Sequence, residues 1–323
     1  MSTRCEEVLT MTTVNTVLGP LDTADLGFTL MHEHVVHQGP LIQNYPELFG
    51  PGILERIVKG ITEAREGGVN TIVDATPFDT GRDVNIMAEV SRKTGVNIVA
   101  CSGWWMKLPD YLAGNSPDLF ADLFVRDIEV GIAGTDIKAG ILKSAADYGG
   151  VTSDGEIMLR SIARAQRRTG VPIMLHSFAA GQVARQQLAI LQDEGVDMKK
   201  VVVGHSNDTQ DMEYLTWILD QGCYLGMDRF PGSHLSPHAR TETMKRLIEA
   251  GWADRLLPSH DISMIDPLAF SPPEVRDIME NRNPHGYLYL KKVVLPWLRE
   301  MGVTDAIIDR LCVDGPRQFF EGT

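Results

Sequence analysis

Short apolar runs recur eight times along the chain, and each of them ends in polar residues. The runs read FTLMHEH, TIVDAT, NIVACSGWW, IKAGILKSA, PIMLHS, VVVGHS, YLGMDRF and LLPSH, the last followed by Asp261. They are rich in Val, Ile and Leu and do not alternate strictly with polar residues, as expected of parallel strands that are covered on both faces. The pattern predicts eight buried β-strands.

The segments between these runs have helical periodicity. In the first segment, Ile57 and Ile61 belong to an apolar face, Glu55 and Lys59 belong to a polar one, and Gly67 marks the end. Further helices are predicted near residues 83–94, 118–133, 155–169, 181–195, 208–221 and 239–250, and then at 287–301 and 305–320. An alternation of strand and helix repeated eight times predicts an α/β fold of the TIM (β/α)₈ barrel class.

The length favours one domain over two. A barrel of this class takes roughly 250 residues, and no linker rich in Pro, Gly or Ser divides the 323 residues. We predict an N-terminal extension over residues 1–15 and a single barrel domain over residues 16–323. The irregular stretch 262–285, which contains four prolines, is a candidate lid over the barrel mouth.

Charge and cysteine content limit the partners. The formal net charge of −13 repels phosphate backbones and anionic lipids, so neither nucleic acid nor a membrane is expected as a partner. The first twenty residues lack a signal-peptide pattern, and the cysteines at positions 5, 101, 223 and 312 are widely spaced, which argues against a disulfide framework. These features favour a cytoplasmic protein with a small-molecule substrate.

Polar side chains that could bind metal ions close several of the predicted strands. Active sites of TIM barrels lie at the C-terminal ends of the strands, and six residues stand there: His32, His34, Lys143, His176, His205 and Asp261. Imidazole and carboxylate groups are common ligands of zinc and similar metals, and six groups exceed the needs of one tetrahedral ion. Two divalent ions are therefore expected, with carbamylation by carbon dioxide turning Lys143 into a bridging carboxylate.

The strand-end motifs resemble those of the phosphotriesterase family of the amidohydrolase superfamily, and most closely those of the phosphotriesterase-like lactonases. The matching segments are TADLGFTLMHEH, IKAGILK, LHS, GHSNDTQDMEYL, GMDRF and SHD, which span nearly the whole chain. The resemblance implies a barrel of the amidohydrolase type. It also implies that His32, His34 and Asp261 bind one metal ion, that His176 and His205 bind the other, and that carbamylated Lys143 bridges both together with a hydroxide.

The resemblance further implies hydrolysis of an ester bond by that hydroxide, with Asp261 passing a proton to the leaving group. Arg229 in GMDRF is typical of the lactonases, whereas Trp105 resembles an aromatic wall of the phosphotriesterases. Asp208 matches a family aspartate that could pair with Arg229 or help to carry the proton away. We therefore expect a lactonase acting on acyl-homoserine or other aliphatic lactones, with Trp105, Arg229 and Asp208 contacting the substrate or supporting the site.

Several alternatives stay open from the sequence alone. Phosphotriester cleavage, or hydrolysis of another ester or amide, could be the main activity. A single histidine is more often a hydrogen-bonded structural residue than a ligand, so a catalytically silent metal-binding module is a further possibility, as is a metal-free lyase that forms a Schiff base on Lys143. The resemblance implies a homodimer, and zinc is the expected metal, although cobalt, manganese and iron accept the same ligands.

Overall fold

A two-stranded hairpin opens the described part of the protein. The computed structural model describes residues 12–37, 44–45, 52–263 and 283–323. The antiparallel strands are β1 (Thr13–Thr16) and β2 (Gly19–Asp22). Val14 of β1 is buried, and the Asn15 side chain donates to the carbonyl of Ala139 at 3.0 Å. Through these two residues, β1 packs against the rest of the domain.

Eight parallel strands follow and form the barrel. They lie in sequence order in one sheet and are β3 (Thr29–Glu33), β4 (Thr71–Asp74), β5 (Asn97–Gly103), β6 (Ile141–Ala146), β7 (Ile173–Ser177), β8 (Val201–Val203), β9 (Tyr224–Met227) and β10 (Leu256–Pro258). The last strand returns to the first just beyond their ends, where Asp261 N donates to His32 O and His34 N donates to Ile262 O. The predicted single-domain TIM barrel is thus confirmed.

In the part of the chain that the structure describes, seven α-helices connect consecutive barrel strands. They are α1 (Ile53–Glu66), α2 (Val84–Thr94), α3 (Pro117–Glu129), α4 (Ser153–Thr169), α5 (Ala184–Asp193), α6 (Met212–Asp220) and α7 (Pro237–Glu249). Side-chain caps define several starts: Asp83, Thr152 and Ser236 each accept a hydrogen bond from a backbone N–H in the first turn. Helix α3 ends four residues before the predicted position, since Gly131 adopts a φ of +153° shortly after it.

The C-terminal helices are more broken than the periodicity predicts. The segment 287–301 contains a π-helical turn at Leu290–Val294 before α8 (Leu295–Glu300), and the segment 305–320 contains α9 (Asp305–Asp309), a second π-helical turn at Arg310–Asp314 and α10 (Gly315–Glu321). Each π-helical turn immediately precedes a proline-containing first turn, with Pro296 and Pro316. Proline has no N–H to donate to the preceding turn, so the regular helical hydrogen bonding is interrupted there.

Two apolar cores surround the sheet and leave one end of the barrel open. The larger core lies between strands and helices, and the smaller one fills the barrel interior with side chains such as Val99, Ile141 and Met174. Val14 from the hairpin and Phe319 from α10 join the interior core and close the N-terminal end of the barrel. The polar residues therefore collect at the opposite, C-terminal end.

Among the residues that the structure describes, no helix combines the length and the apolar character needed to cross a lipid bilayer. The candidate lid at 262–285 lies for the most part outside the described residues, which resume at Asn283.

Candidate metal centre at the barrel mouth

The six predicted ligands meet at the C-terminal end of the barrel. They come from five different strands or the residues directly after them, and four are almost fully buried: His32, Lys143, His176 and His205. Lys143 Nζ lies 3.1 Å from His32 Nε2, and His34 Nε2 lies 3.1 Å from Asp261 Oδ1. Residues that are up to 229 positions apart thus form one cluster.

The cluster divides into two groups of ligand atoms. Atoms of His32, His34 and Asp261 lie within 4.8 Å of one another, a spacing that one metal ion could bridge. On the other side, His205 Nε2 lies 2.7 Å from His176 Nδ1, and Lys143 on β6 stands beside His32. The first group contains the three residues that the sequence motifs imply for one ion. A second group with the same close spacing consists of His32, His205 and Asp228.

Asp228 orients one histidine from each group. Its Oδ2 lies 2.7 Å from His32 Nδ1, and its Oδ1 accepts from the backbone N–H of His205 at 2.7 Å and lies 3.0 Å from His205 Nδ1. Because a carboxylate can only accept, both Nδ1 atoms carry hydrogens. The Nε2 lone pairs of His32 and His205 are therefore free to face the centre.

Each of the other two histidines is also fixed through one of its ring nitrogens. His34 Nδ1 lies 2.8 Å from the hydroxyl of Thr76, and His176 Nε2 lies 3.4 Å from Asp147 Oδ2. Metal-binding histidines in proteins are commonly fixed in this way by an oxygen on their second nitrogen. All four rings thus present one nitrogen inward and anchor the other, so the donor set fits two divalent metal ions.

Burial favours the protonation states that metal binding needs. Removal from water is the largest cause that lowers the pKa of His32, His176 and His205 below the ordinary value of 6.5. Neutral imidazole is the form that binds a metal. Burial also lowers the pKa of Lys143 to about 8, although nearby Asp261 and Asp228 oppose the change.

Two of the predicted ligands lie at unusual backbone positions. His205 and Asp261 have φ angles of +61° and +56°, in the left-handed region that side-chain-bearing residues seldom occupy. Such conformations cluster at functional sites and persist where surrounding contacts enforce them. For His205, the bond from its own N–H to Asp228 supplies one such contact.

A chain of alternating charges leads away from Asp261. Arg229 Nε donates to Asp261 Oδ2 at 3.1 Å, Arg229 Nη1 donates to Asp208 Oδ2 at 2.7 Å, and Arg240 Nη1 lies 2.5 Å from Asp208 Oδ1. A guanidinium keeps its protons in proteins, so a proton cannot pass from Asp261 to Asp208 through Arg229. Of the two roles expected for Asp208, the geometry favours pairing with Arg229 over carrying a proton.

The two tryptophans after β5 occupy different environments. Trp104 is buried, and its Nε1 donates to Lys107 O at 3.0 Å. Trp105 lies at the mouth, where its ring contacts that of His176 edge-on with centroids 4.4 Å apart. A cavity of about 420 Å³ has Met106, Ala145 and Asp147 in its wall. Asp147 connects this cavity to the site, because its Oδ2 lies 3.4 Å from His176 Nε2.

Several supporting residues were not assigned from the sequence. They are Asp228, Thr76, Asp147 and Arg240. Asp228 could have been found, because it is a polar residue at the end of an apolar strand and directly precedes Arg229. Arg240 lies on a helix among ordinary polar residues, and nothing in its sequence context distinguishes it.

The comparisons with known proteins agree with this geometry. The model of the phosphotriesterase family matches residues 12–320. The chain is 41% identical over 326 residues to the phosphotriesterase homology protein of Mycobacterium tuberculosis, covering 96% of this chain and 98% of the relative. It is 36% identical over 305 residues to an aryldialkylphosphatase of Saccharolobus solfataricus, covering 93% and 96%.

A solved structure gives the same picture. The structure of the phosphotriesterase from Mycobacterium tuberculosis superposes with a TM-score of 0.90 at 40% identity and covers 96% of this chain and 98% of that one. The likeness therefore extends over the entire barrel as well as the strand-end motifs. The chain belongs to the phosphotriesterase family and is a hydrolase acting on ester bonds.

Proposed function

We propose that the protein is a binuclear metal-dependent hydrolase whose main substrates are lactones. The observation that carries the proposal is the inward convergence of four anchored histidines with Lys143 and Asp261 at the barrel mouth. Six ligand groups in two subsets match the needs of two ions and exceed those of one.

Two divalent ions bound there would acidify a water molecule near neutral pH and polarise the scissile carbonyl. His32, His34 and Asp261 would hold one ion, and His176 and His205 the other. Lys143 would bridge them as a carbamate, because an ammonium group has no lone pair to offer a metal. We propose zinc as the metal, because histidine and carboxylate groups are common zinc ligands.

The chain's own residues would manage the proton. Asp261 receives the proton from the attacking water and delivers it to the alkoxide that leaves when the lactone ring opens. Arg229, bonded to Asp261 Oδ2, holds that carboxylate in place and keeps a permanent positive charge beside the site. This charge favours the carboxylate product of lactone opening.

One observation favours a second substrate class. The Trp105 ring against His176 supplies a flat apolar wall on which an aromatic leaving group could rest, and the Saccharolobus relative is named an aryldialkylphosphatase. Hydrolysis of aryl dialkyl phosphates is therefore the alternative activity.

Steady-state kinetics on a panel of acyl-homoserine and other aliphatic lactones, with paraoxon alongside, tests the proposal. We expect the lactones to give the highest kcat/KM, and Arg229→His to lower lactone turnover at least about 10-fold while affecting paraoxon less. Arg229→Lys is the matched control. It keeps the positive charge but loses the planar guanidinium, whose Nε and Nη1 donate to Asp261 and Asp208. Preference of the wild-type protein for paraoxon would make the alternative the main activity, and full turnover by Asp261→Asn would remove Asp261 from the mechanism.

A further inference from the structure

Glu33 is a fully buried carboxylate that lies between two metal-ligand histidines in sequence but faces away from them. Its Oε1 accepts from Ser259 Oγ at 2.7 Å and from the backbone N–H of His260 at 2.9 Å. Its Oε2 accepts from the backbone N–H of Ile262 at 3.3 Å. One side chain on the first barrel strand therefore binds residues on both sides of Asp261.

His260 adds a further hydrogen bond to the same carboxylate. Leu290 N–H donates to His260 Nε2 at 3.0 Å, so Nε2 is the unprotonated nitrogen and Nδ1 carries the hydrogen that is donated to Glu33 Oε1 at 2.7 Å. His260 is therefore neutral and oriented at both ends. The contact also ties Leu290 to the end of the barrel.

Asp261 lies at the centre of this arrangement with a φ of +56°. Its own N–H donates to His32 O, and the next carbonyl, that of Ile262, accepts from His34 N–H. With Glu33 bound to the amides of residues 260 and 262, the peptide groups on each side of Asp261 are fixed to the first barrel strand. Rotation of residue 261 to a negative φ would break the bond between Ile262 and Glu33.

We propose that Glu33 is a positioning residue that holds Asp261 in the left-handed conformation from which its carboxylate reaches the centre. Glu33 acts through the backbone and touches neither the substrate nor the inward ligand atoms. The inference rests on the proposed function, because it assigns Glu33 to the reaction in which Asp261 handles the proton.

Glu33→Gln tests the proposal with little change in shape. The amide oxygen can replace Oε1 and keep the three donors there, whereas the amide nitrogen then faces the N–H of Ile262 and cannot accept from it. We expect hydrogen exchange of the Ile262 amide in the metal-free protein to rise at least about 10-fold, and that of His260 to change less. Asp127→Asn is the matched control: this helix carboxylate accepts from Ser102 and pairs with Arg82, and its loss leaves both amides unchanged.

A double-mutant cycle on kcat separates positioning from general stability. Glu33→Gln alone is expected to lower kcat by about 10- to 100-fold with KM nearly unchanged. In the Asp261→Asn background the same change is expected to lower kcat less than about twofold, because the residue through which Glu33 acts is already altered. Equal losses in both backgrounds, or a Glu33→Gln protein with full turnover and an unchanged Ile262 amide, would overturn the proposal.

If Glu33→Gln does not accumulate as a folded protein, Glu33→Asp replaces it. The shorter side chain of aspartate cannot reach the amides of both residue 260 and residue 262, so the same changes in exchange and kcat are expected. If the wild-type protein hydrolyses none of the esters, the proposed function fails by itself. The exchange of the Ile262 amide then decides the positioning role without reference to activity.

Discussion

Replacement of Asp228 by asparagine is expected to weaken one metal site and spare the other. The native carboxylate accepts three hydrogen bonds: one from His32 Nδ1 at 2.7 Å and two from His205, at 2.7 Å and 3.0 Å. An asparagine has one acceptor atom, which is best placed on the His205 side, where it keeps two bonds. Its NH₂ group then faces His32 Nδ1.

The size of the effect follows from that geometry. Two N–H donors cannot face each other at 2.7 Å, so His32 shifts its hydrogen to Nε2, the atom that would bind the metal. Metal binding must then return the hydrogen to Nδ1 and leave two buried N–H donors facing each other without an acceptor, which costs about 1–3 kcal/mol. Because about 1.4 kcal/mol corresponds to a factor of ten, the affinity for one ion is expected to fall about 5- to 150-fold. The affinity of the His176 and His205 side is expected to stay within a few-fold.

Competition with a zinc-binding dye, followed by elemental analysis, measures the two affinities separately. Asp228→Asn should retain one ion per chain after dialysis against limiting zinc and regain activity when zinc is added in excess. The control Asp127→Asn should bind both ions as the wild-type protein does. Unchanged binding of both ions by Asp228→Asn, or equal weakening of the two, would refute the orienting role.

Three further predictions concern other parts of the site. Arg240→Met removes one of the two cations that pair with Asp208, and it does so at a fully buried position. The free energy of unfolding measured in urea should therefore fall by about 3 kcal/mol or more. Lactone kcat/KM should also fall because Arg229 is less firmly held, and wild-type values in both assays would contradict this. Burial raises the pKa of Asp79 to about 6 from 3.8, although the hydrogen bond from Trp105 N–H opposes it. Stability therefore falls as the pH rises from about 4 to 6. Asp79→Asn should be more stable than the wild-type protein by about 3 kcal/mol at pH 7, with no gain at pH 4. A stability difference that is the same at both pH values would show that ionisation is not its cause. Trp105→Ala should raise KM for aryl-substituted substrates about 3- to 10-fold through lost ring contacts and leave kcat nearly unchanged, whereas an unaltered KM would place the aromatic group elsewhere.

Much of the fold is encoded locally, and this explains why it could be predicted from the sequence. Each barrel strand is an apolar run that ends in a polar residue, and each connecting helix has an apolar face together with a cap or a glycine at its end. The C-terminal segments were predicted less well. Their periodicity is helical throughout, but Pro296 and Pro316 interrupt the hydrogen bonding in a way that a periodic pattern does not reveal.

The inward ligands could be proposed from strand ends because the barrel topology brings those ends together. Their supporting partners could not, because they depend on contacts between distant segments. The alternation of side chains along a strand places Glu33 on the face opposite His32 and His34, yet its partner His260 lies 227 positions away. That contact exists only because the eighth barrel strand returns to the first.

Bound metal per chain, measured by elemental analysis before and after chelation and paired with lactone turnover, tests the central claim most directly. We predict close to two divalent ions per chain, loss of turnover when they are removed, and recovery when zinc and bicarbonate are restored. A protein that is fully active without metal would contradict the account and point instead to chemistry on Lys143.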